Sequence, residues 1–233
     1  MKWDEYEKEE KKRIETNISY LEKGVNFIDI RTAYIDEGIV IGNGTTIYPC
    51  VTLTGNVKIG GNCIIGQNTR IVDSTIGDCT EIQSSVVLES KIGNNATIGP
   101  FAHIRPNSDI GDNCKAGAFV EVKNSIMADG AKTPHLAYVG DADIGRNVNL
   151  GCGVVFVNYN GRQKFRSVVK DGAFVGCNVN IVSPVIVEED AYIAAGSTVT
   201  EKIVPAGSLC IARVKKARII EGWVSKSEIL KKR

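Results

Sequence analysis

Residues 39–71 read IVIGNGTTIYPCVTLTGNVKIGGNCIIGQNTRI, and within them Ile41, Ile47, Leu53, Ile59, Ile65 and Ile71 fall six residues apart. An α-helix repeats its apolar face near 3.6 residues and an alternating strand near 2, so neither produces a sustained six. Glycine follows several of these anchors, at Gly42, Gly60 and Gly66. A hexapeptide coil explains both features: one aliphatic in six points into a narrow prism, the small residue after it lets the chain turn, and three hexapeptides close a coil of about 18 residues. Working outward, the register returns at Ile92, Ile98, Ile104 and Ile110, at Ile144, Leu150 and Phe156, and at Val175, Ile181, Val187, Ile193 and Val199. The stretch from Ile39 to Val204 makes roughly nine coils, which at ~4.8 Å per strand predicts an all-β prism about 40 Å long.

Composition agrees. The 233 residues include 24 Gly but only 2 Trp, 7 Tyr and 6 Phe, as expected of a core built from aliphatics and small side chains. Twenty-eight basic against 27 acidic residues leave a net charge of +1, so no global field argues for nucleic acid or an anionic membrane. No apolar run approaches the ~18 residues of a spanning helix and the opening residues lack a signal-like apolar stretch, so a soluble cytoplasmic protein is expected. The seven cysteines, at 50, 63, 79, 114, 152, 177 and 210, never form CxxC and are expected to be reduced, small and half-buried.

Breaks in the register mark insertions, because a coil is expected to lengthen by extruding a loop. The largest is VNYNGRQKFRSV, residues 157–168, where Asn160-Gly161 marks a turn and Arg162, Lys164 and Arg166 supply charge. MADGAKTPH, residues 127–135, is a second. Three segments are expected: a charged helix over 1–24, the β-helix over 25–206 and a tail over 207–233. The first segment carries 11 charges in its first 15 positions, with Ile14, Ile18 and Leu21 at helical spacing and Gly24 as a stop, which reads as a cap over one open end of the prism or as a helix that docks a partner. Residues 213–233 hold eight basic residues against two acidic ones, with Trp223 among them, and read as a solvated tail or a contact for a phosphorylated ligand.

Only two histidines are present, so a three-histidine metal site is unavailable and metal catalysis is not expected. His103, in PFAHIRP, stands beside a core anchor and reads as a hydrogen-bonded structural residue. His135, in KTPHLAYVGD, reads as off the repeat register; a lone imidazole there is either a surface residue or a base.

The ordered motifs IGPFAHIRP, KAGAFVEVKN, HLAYVGDADIGRNVNLGCG, VNYNGRQKF, FVGCNVNIVSPV and IAAGSTVT resemble the acetyltransferase half of the bacterial bifunctional N-acetylglucosamine-1-phosphate uridylyltransferase/glucosamine-1-phosphate acetyltransferase family. The resemblance covers about residues 25–224, and the nucleotidyltransferase half has no counterpart. It implies a left-handed β-helix, a homotrimer with sites shared between subunits, and transfer of acetyl from acetyl-CoA to the amine of glucosamine 1-phosphate without a metal. His135 matches the family's general base, and Tyr159, in Asn158-Tyr159, matches the backbone N–H donor to the oxyanion. Arg105 and Lys123 match phosphate contacts, Lys164 a third basic contact that a neighbouring subunit supplies, and Tyr138 and Asn149 sugar contacts. Cys152, Asn158, Tyr159, Cys177, Ala195 and Arg213 match acetyl-CoA contacts, the two cysteines as small wall residues.

The chain departs from the family pattern at Thr133-Pro134, at Val154-Val155-Phe156 and at Asn160. Three functions follow: an amino-sugar-phosphate N-acetyltransferase, the same chemistry on another amino-sugar phosphate or a nucleotide amino sugar, or a non-catalytic trimeric scaffold docking a separate nucleotidyltransferase.

Overall fold

The computed structural model describes residues 2–214 and is a left-handed parallel β-helix of about ten turns preceded by one helix, Trp3–Glu22. Strands of two to four residues build three flat faces of 11, 10 and 10 strands, each strand pairing in parallel with the equivalent strand one coil on. The first face starts at Asn26–Phe27, the second at Tyr34–Ile35 and the third at Val40–Ile41. Coiling thus begins before Ile39 and continues to Leu209–Cys210, past position 206, which gives ten turns where the periodicity of the aliphatics gave nine. Trp223 and most of the basic tail lie outside the described residues.

All the aliphatic anchors are buried and form one axial column per face. Corners are turned in the left-handed backbone region, and Asn62, Asn95, Asn113 and Asn147 take it at φ between 54° and 57°. Asparagine tolerates this conformation better than any other residue except glycine.

The register break between Ile71 and Ile92 extrudes nothing. Ile76, Ile82 and Val87 are the buried anchors there, and the spacings Ile71–Ile76, Ile82–Val87 and Val87–Ile92 are each one residue short; the last two fall within one coil, so Thr75 pairs with Lys91, 16 residues on, where Val40 pairs with Lys58, 18 on. The MADGAKTPH segment is likewise in register. Lys132–His135 is a first-face strand, with Lys115 opposite Lys132, Ala116 opposite Thr133 and Ala118 opposite His135. Its core positions are taken by Ala116 and Thr133, both fully buried, so the hexad persists without its aliphatic signature. Only residues 158–166 leave the prism: Asp143 pairs with Val168, 25 residues on.

The helix does cover the open end, with a different face from the one its aliphatics suggest. Along the solenoid backbone N–H groups donate in both directions, Asn26 to Thr45 and Tyr34 to Val51 of the following coil, Gly44 to Gly24 and Asn62 to Asn43 of the preceding one, and the first coil therefore offers carbonyls at the end that the helix covers. The helix meets them with donors. Arg13 Nη1 reaches the Arg31 and Ala33 oxygens at 2.6 and 3.0 Å, Asn17 Nδ2 those of Ile30 and Ala33 at 2.9 and 3.0 Å, and the Tyr20 hydroxyl that of Ile39 at 2.8 Å. Ile18 and Leu21 face outward and Ile14 is half-buried, because acceptors at a coil edge call for polar partners.

Candidate active site on the second face

One coil organises the candidate site. Thr133 is its first-face anchor, His135 stands at the corner that opens the second face, Tyr138–Gly140 is its second-face strand, and Asp141 turns the corner that closes it. The coil before contributes Glu121–Lys123 and Asn124; the coil after contributes Val155–Val157 and Asn158.

A polar cluster gathers toward the closing corner. Asp141, almost fully buried, accepts from Asn124 Nδ2 at 2.6 Å, from Asn158 Nδ2, and from Lys123 Nζ at 3.4 Å. Burial alone pushes its carboxyl up; the Asn124 amide, the Lys123 ammonium and the Asn158 amide overcome this and hold it below the usual carboxylate value. Asn158 also approaches the Tyr138 hydroxyl at 3.4 Å. Gly140 leaves room here: a Cβ would lie 2.5 Å from the Tyr138 ring, so its absence lets the phenol fold back along the strand. Arg105 is bound through Nη1 to Glu121 Oε1 at 2.7 Å, which raises the guanidinium further above its ordinary value. Lys164 comes beside Lys123 of its own chain, and that neighbour lowers the Lys164 ammonium from its usual value. Three cations therefore converge around two carboxylates.

The extruded loop is a tight hairpin rooted in this cluster. Asn160 Oδ1 accepts from the N–H groups of Arg162 and Gln163 at 2.9 Å, and Gly161 turns at φ +91°. Asn160 N–H donates to the Gln163 oxygen and Phe165 N–H to the Asn158 oxygen, the pattern that leaves Tyr159 at a bridge position with Lys164, its own N–H aimed away from the hairpin. Arg166 anchors the far end on both carboxylate oxygens of Asp143 and on the Asn124 carbonyl.

The remaining sequence candidates lie along the opening corner. His135, Cys152, Cys177 and Ala195 each sit two residues after a first-face anchor, and the pairings Lys132 to Asn149, Asn149 to Phe174 and Phe174 to Tyr192 place them one per coil in a single column. At ~4.8 Å per coil the column runs about 14 Å from His135 to Ala195. Arg213 ends it, donating to the Ala195 carbonyl at 2.9 Å. Asn149 lies on the first face, away from the cation cluster. His135 is exposed and, among the described residues, its imidazole is unbonded. The carbonyl of the preceding Pro134 packs on Gly117, where a Cβ would sit 2.0 Å from it, so the strand carrying His135 lies close on its neighbour.

Other expectations shift. His103 is half-buried on the second face, but among the described residues nothing hydrogen-bonds its imidazole. Cys63 and Cys114 are buried, their thiols pushed up by desolvation, whereas Cys50, Cys79 and Cys177 are exposed rather than half-buried. Of the departing residues, Thr133, Val154 and Phe156 are fully buried, which leaves Pro134, Val155 and Asn160 to alter the surface. Asn124, Gly140 and Asp141 were missed; Asn124, Asp141 and Asn158 recur at intervals of 17 at one corner, a signal that aligning the coils would have exposed. A groove of about 790 Å³ lies elsewhere, between the helix and the first coil. It is lined by four carboxylates against two cations, which suits it poorly to a phosphate.

Residues 38–73 and 89–124 match the family model for the bacterial transferase hexapeptide (six repeats). The chain is 55% identical over 218 residues to the Bifunctional protein GlmU of Clostridioides difficile (strain 630), covering 94% of this chain and 47% of that protein. It is 50% identical over 215 residues to the Bifunctional protein GlmU of Clostridium beijerinckii, covering 92% and 47%. A solved structure of UDP-N-acetylglucosamine acyltransferase from Campylobacter jejuni superposes with a TM-score of 0.38 at 16% identity, over 66% of each chain. The chain spans about half the length of the curated relatives it matches. It carries bacterial transferase hexapeptide repeats, and over nearly its whole length it is similar to one half of the bifunctional GlmU proteins, the family its motifs resemble.

Proposed function

We propose that this chain is an N-acetyltransferase that moves acetyl from acetyl-CoA to the amine of glucosamine 1-phosphate, working as a cytoplasmic homotrimer. The observation that carries the reading is a juxtaposition across neighbouring coils: His135 heads a corner column of small side chains ending at Arg213, while Arg105, Lys123 and Lys164 gather on the face next to it. Such a column of small residues offers a long thioester arm a channel along the prism. The three cations suit a sugar phosphate dianion, with the planar guanidinium and the mobile ammonium groups approaching from different sides. Tyr138 offers a hydroxyl, and Asn149, on the first face, an amide for sugar hydroxyls.

In chemical terms the acceptor amine is an ammonium at neutral pH and must lose a proton before its lone pair can attack. His135, exposed and unbonded among the described residues, accepts that proton. Nitrogen then bonds to the thioester carbon, the carbonyl oxygen takes up negative charge, and the outward-pointing Tyr159 N–H stabilises it. Collapse breaks the C–S bond, the nitrogen gives up its remaining extra proton to water to become the amide, and the leaving thiolate takes a proton from the imidazolium. Metal plays no part in this sequence.

The test is thiol release from acetyl-CoA with a panel of amino-sugar phosphates, beside His135→Ala. Turnover with glucosamine 1-phosphate that falls at least ~100-fold in the variant supports the reading. Turnover only with another amino sugar moves the specificity to Pro134, Val155 and Asn160. No turnover from a folded protein favours a scaffold that docks a separate nucleotidyltransferase, a reading supported by the outward Ile18 and Leu21 of the helix.

A further inference from the structure

The cations of the second-face cluster are not held alike. Lys123 Nζ lies 3.4 Å from Asp141 with its side chain only 18% exposed, and Arg105 is bound to Glu121. Nearby on the third face, Lys170 is bound to Glu188, which raises its ammonium above the usual value. Among the described residues Lys164 makes no such ion pair, and its side chain is exposed. Lys123, foremost, and Arg105 push its proton off against the pull of Asp141. A lysine set beside other cations keeps a larger share of free amine, the form with a lone pair, and is thereby made a nucleophile.

The hairpin fixes where that amine can go. Tyr159 and Lys164 stand directly opposite each other, between the bonds from Asn160 N–H to the Gln163 oxygen and from Phe165 N–H to the Asn158 oxygen. Residues opposed in this way have Cα atoms about 4.5 Å apart and side chains on one face of the ribbon. Both of their N–H groups turn outward. A thioester whose carbonyl meets the Tyr159 N–H is therefore within reach of the flexible Lys164 stem.

We infer that Lys164 is itself an acetyl acceptor, modified by acetyl-CoA when no sugar phosphate occupies the cation cluster. The donor half of this inference rests on the acetyltransferase reading; the reactivity of the amine does not. The ammonium first gives a proton to water. Its nitrogen then bonds to the thioester carbon, the C–S bond breaks, and the thiolate takes the second proton, leaving an uncharged amide and free CoA. The cluster keeps two cations where it had three, so its hold on a phosphate dianion weakens. A sugar phosphate that arrives first prevents the reaction, because its negative charge keeps the ammonium protonated.

The test incubates the purified protein with acetyl-CoA alone and follows each lysine by peptide mass spectrometry, with the exposed Lys58 on the third face as reference. Lys164 should be acetylated at least about tenfold faster than Lys58. Inorganic phosphate should slow Lys164 and leave Lys58 unchanged; labelling that ignores phosphate would overturn the placement of this amine in the anion site. Freed of acetyl-CoA, the modified protein should show a KM for glucosamine 1-phosphate raised at least about fivefold, an effect that Lys164→Gln reproduces and that preincubation of Lys164→Arg does not produce. Lys164 labelled no faster than Lys58, in a protein that turns over glucosamine 1-phosphate, would overturn self-acetylation and leave the acetyltransferase reading standing. A protein that neither turns over nor labels with acetyl-CoA, while acetic anhydride still marks Lys164 ahead of Lys58, would show that the donor is not bound. The acetyltransferase reading would then fall, and self-acetylation with it.

Discussion

Replacing Asp141 with alanine should be among the most damaging single changes outside the hydrophobic core. Its carboxylate accepts from Asn124, Asn158 and Lys123 at a site where the Lys123 side chain is only 18% exposed. Alanine leaves two amides without an acceptor and an ammonium without its counter-charge, and breaking a buried pair from one side costs about 3–5 kcal/mol. At 2–4 °C per kcal/mol for a chain of this size, the unfolding midpoint should fall by roughly 6–20 °C. Asp141→Asn keeps the shape and loses the charge, so a cost of about 1–2 kcal/mol is expected. The pH dependence has a definite sign. The folded pKa of Asp141 is depressed, so its contribution is complete above the ordinary carboxylate value and disappears as pH falls through the folded value. The gap between the parent and Asp141→Asn should therefore be open at neutral pH and close in acid. Circular dichroism melts across that range check it. An Asp141→Ala protein within 1 kcal/mol of the parent, or a gap that ignores pH, would refute the account of the cluster.

Two further outcomes are expected. The Thr133 hydroxyl is fully buried with no hydrogen-bond partner, so Thr133→Val, which swaps the hydroxyl for a methyl of similar size, should raise stability by about 1–3 kcal/mol in a urea titration; a loss would mean that the hydroxyl is bonded in solution. Asn17→Ala removes two bonds to first-coil carbonyls and should speed amide exchange over residues 26–35 while leaving residues 98–110 unchanged; equal effects in both would show that the cap acts on the whole prism.

Much of the prism was legible because its cause is local: an aliphatic every six residues is both the pattern and the core. Legibility failed wherever the hexad was kept by other means. Ala116 and Thr133 hold core positions that a search for aliphatics passes over, and the shortened corners between Ile71 and Ile92 alter the spacing without disturbing the stack. The helix misled in its facing, since Ile14, Ile18 and Leu21 follow the rule for an apolar interface while the surface it meets is a row of carbonyls. In the site, Arg105, Lys123 and Lys164 were legible as candidates through their motifs, but Lys164, expected from a neighbouring subunit, lies beside Lys123 of its own chain. Asp141 and Asn124 were not, because their role depends on neighbours 17 residues away that only coiling brings into contact. His135 and Tyr159 were legible singly, but their placement on opposite edges of one face was not.

The open ends of the hydrogen-bond ladder have a consequence for how such a molecule stays finite. A stack of parallel strands presents unpaired N–H and C=O groups at each of its ends, and those ends fit each other much as they fit the coils between them. Head-to-tail docking would continue the ladder without limit, giving an open filament rather than a closed particle. Arg13, Asn17 and Tyr20 occupy the Ala33 and Ile39 carbonyls of the first coil with side-chain donors, which no second prism can displace without first lifting the helix. The helix Trp3–Glu22 thus blocks, at this end, the ladder along which such a stack could extend.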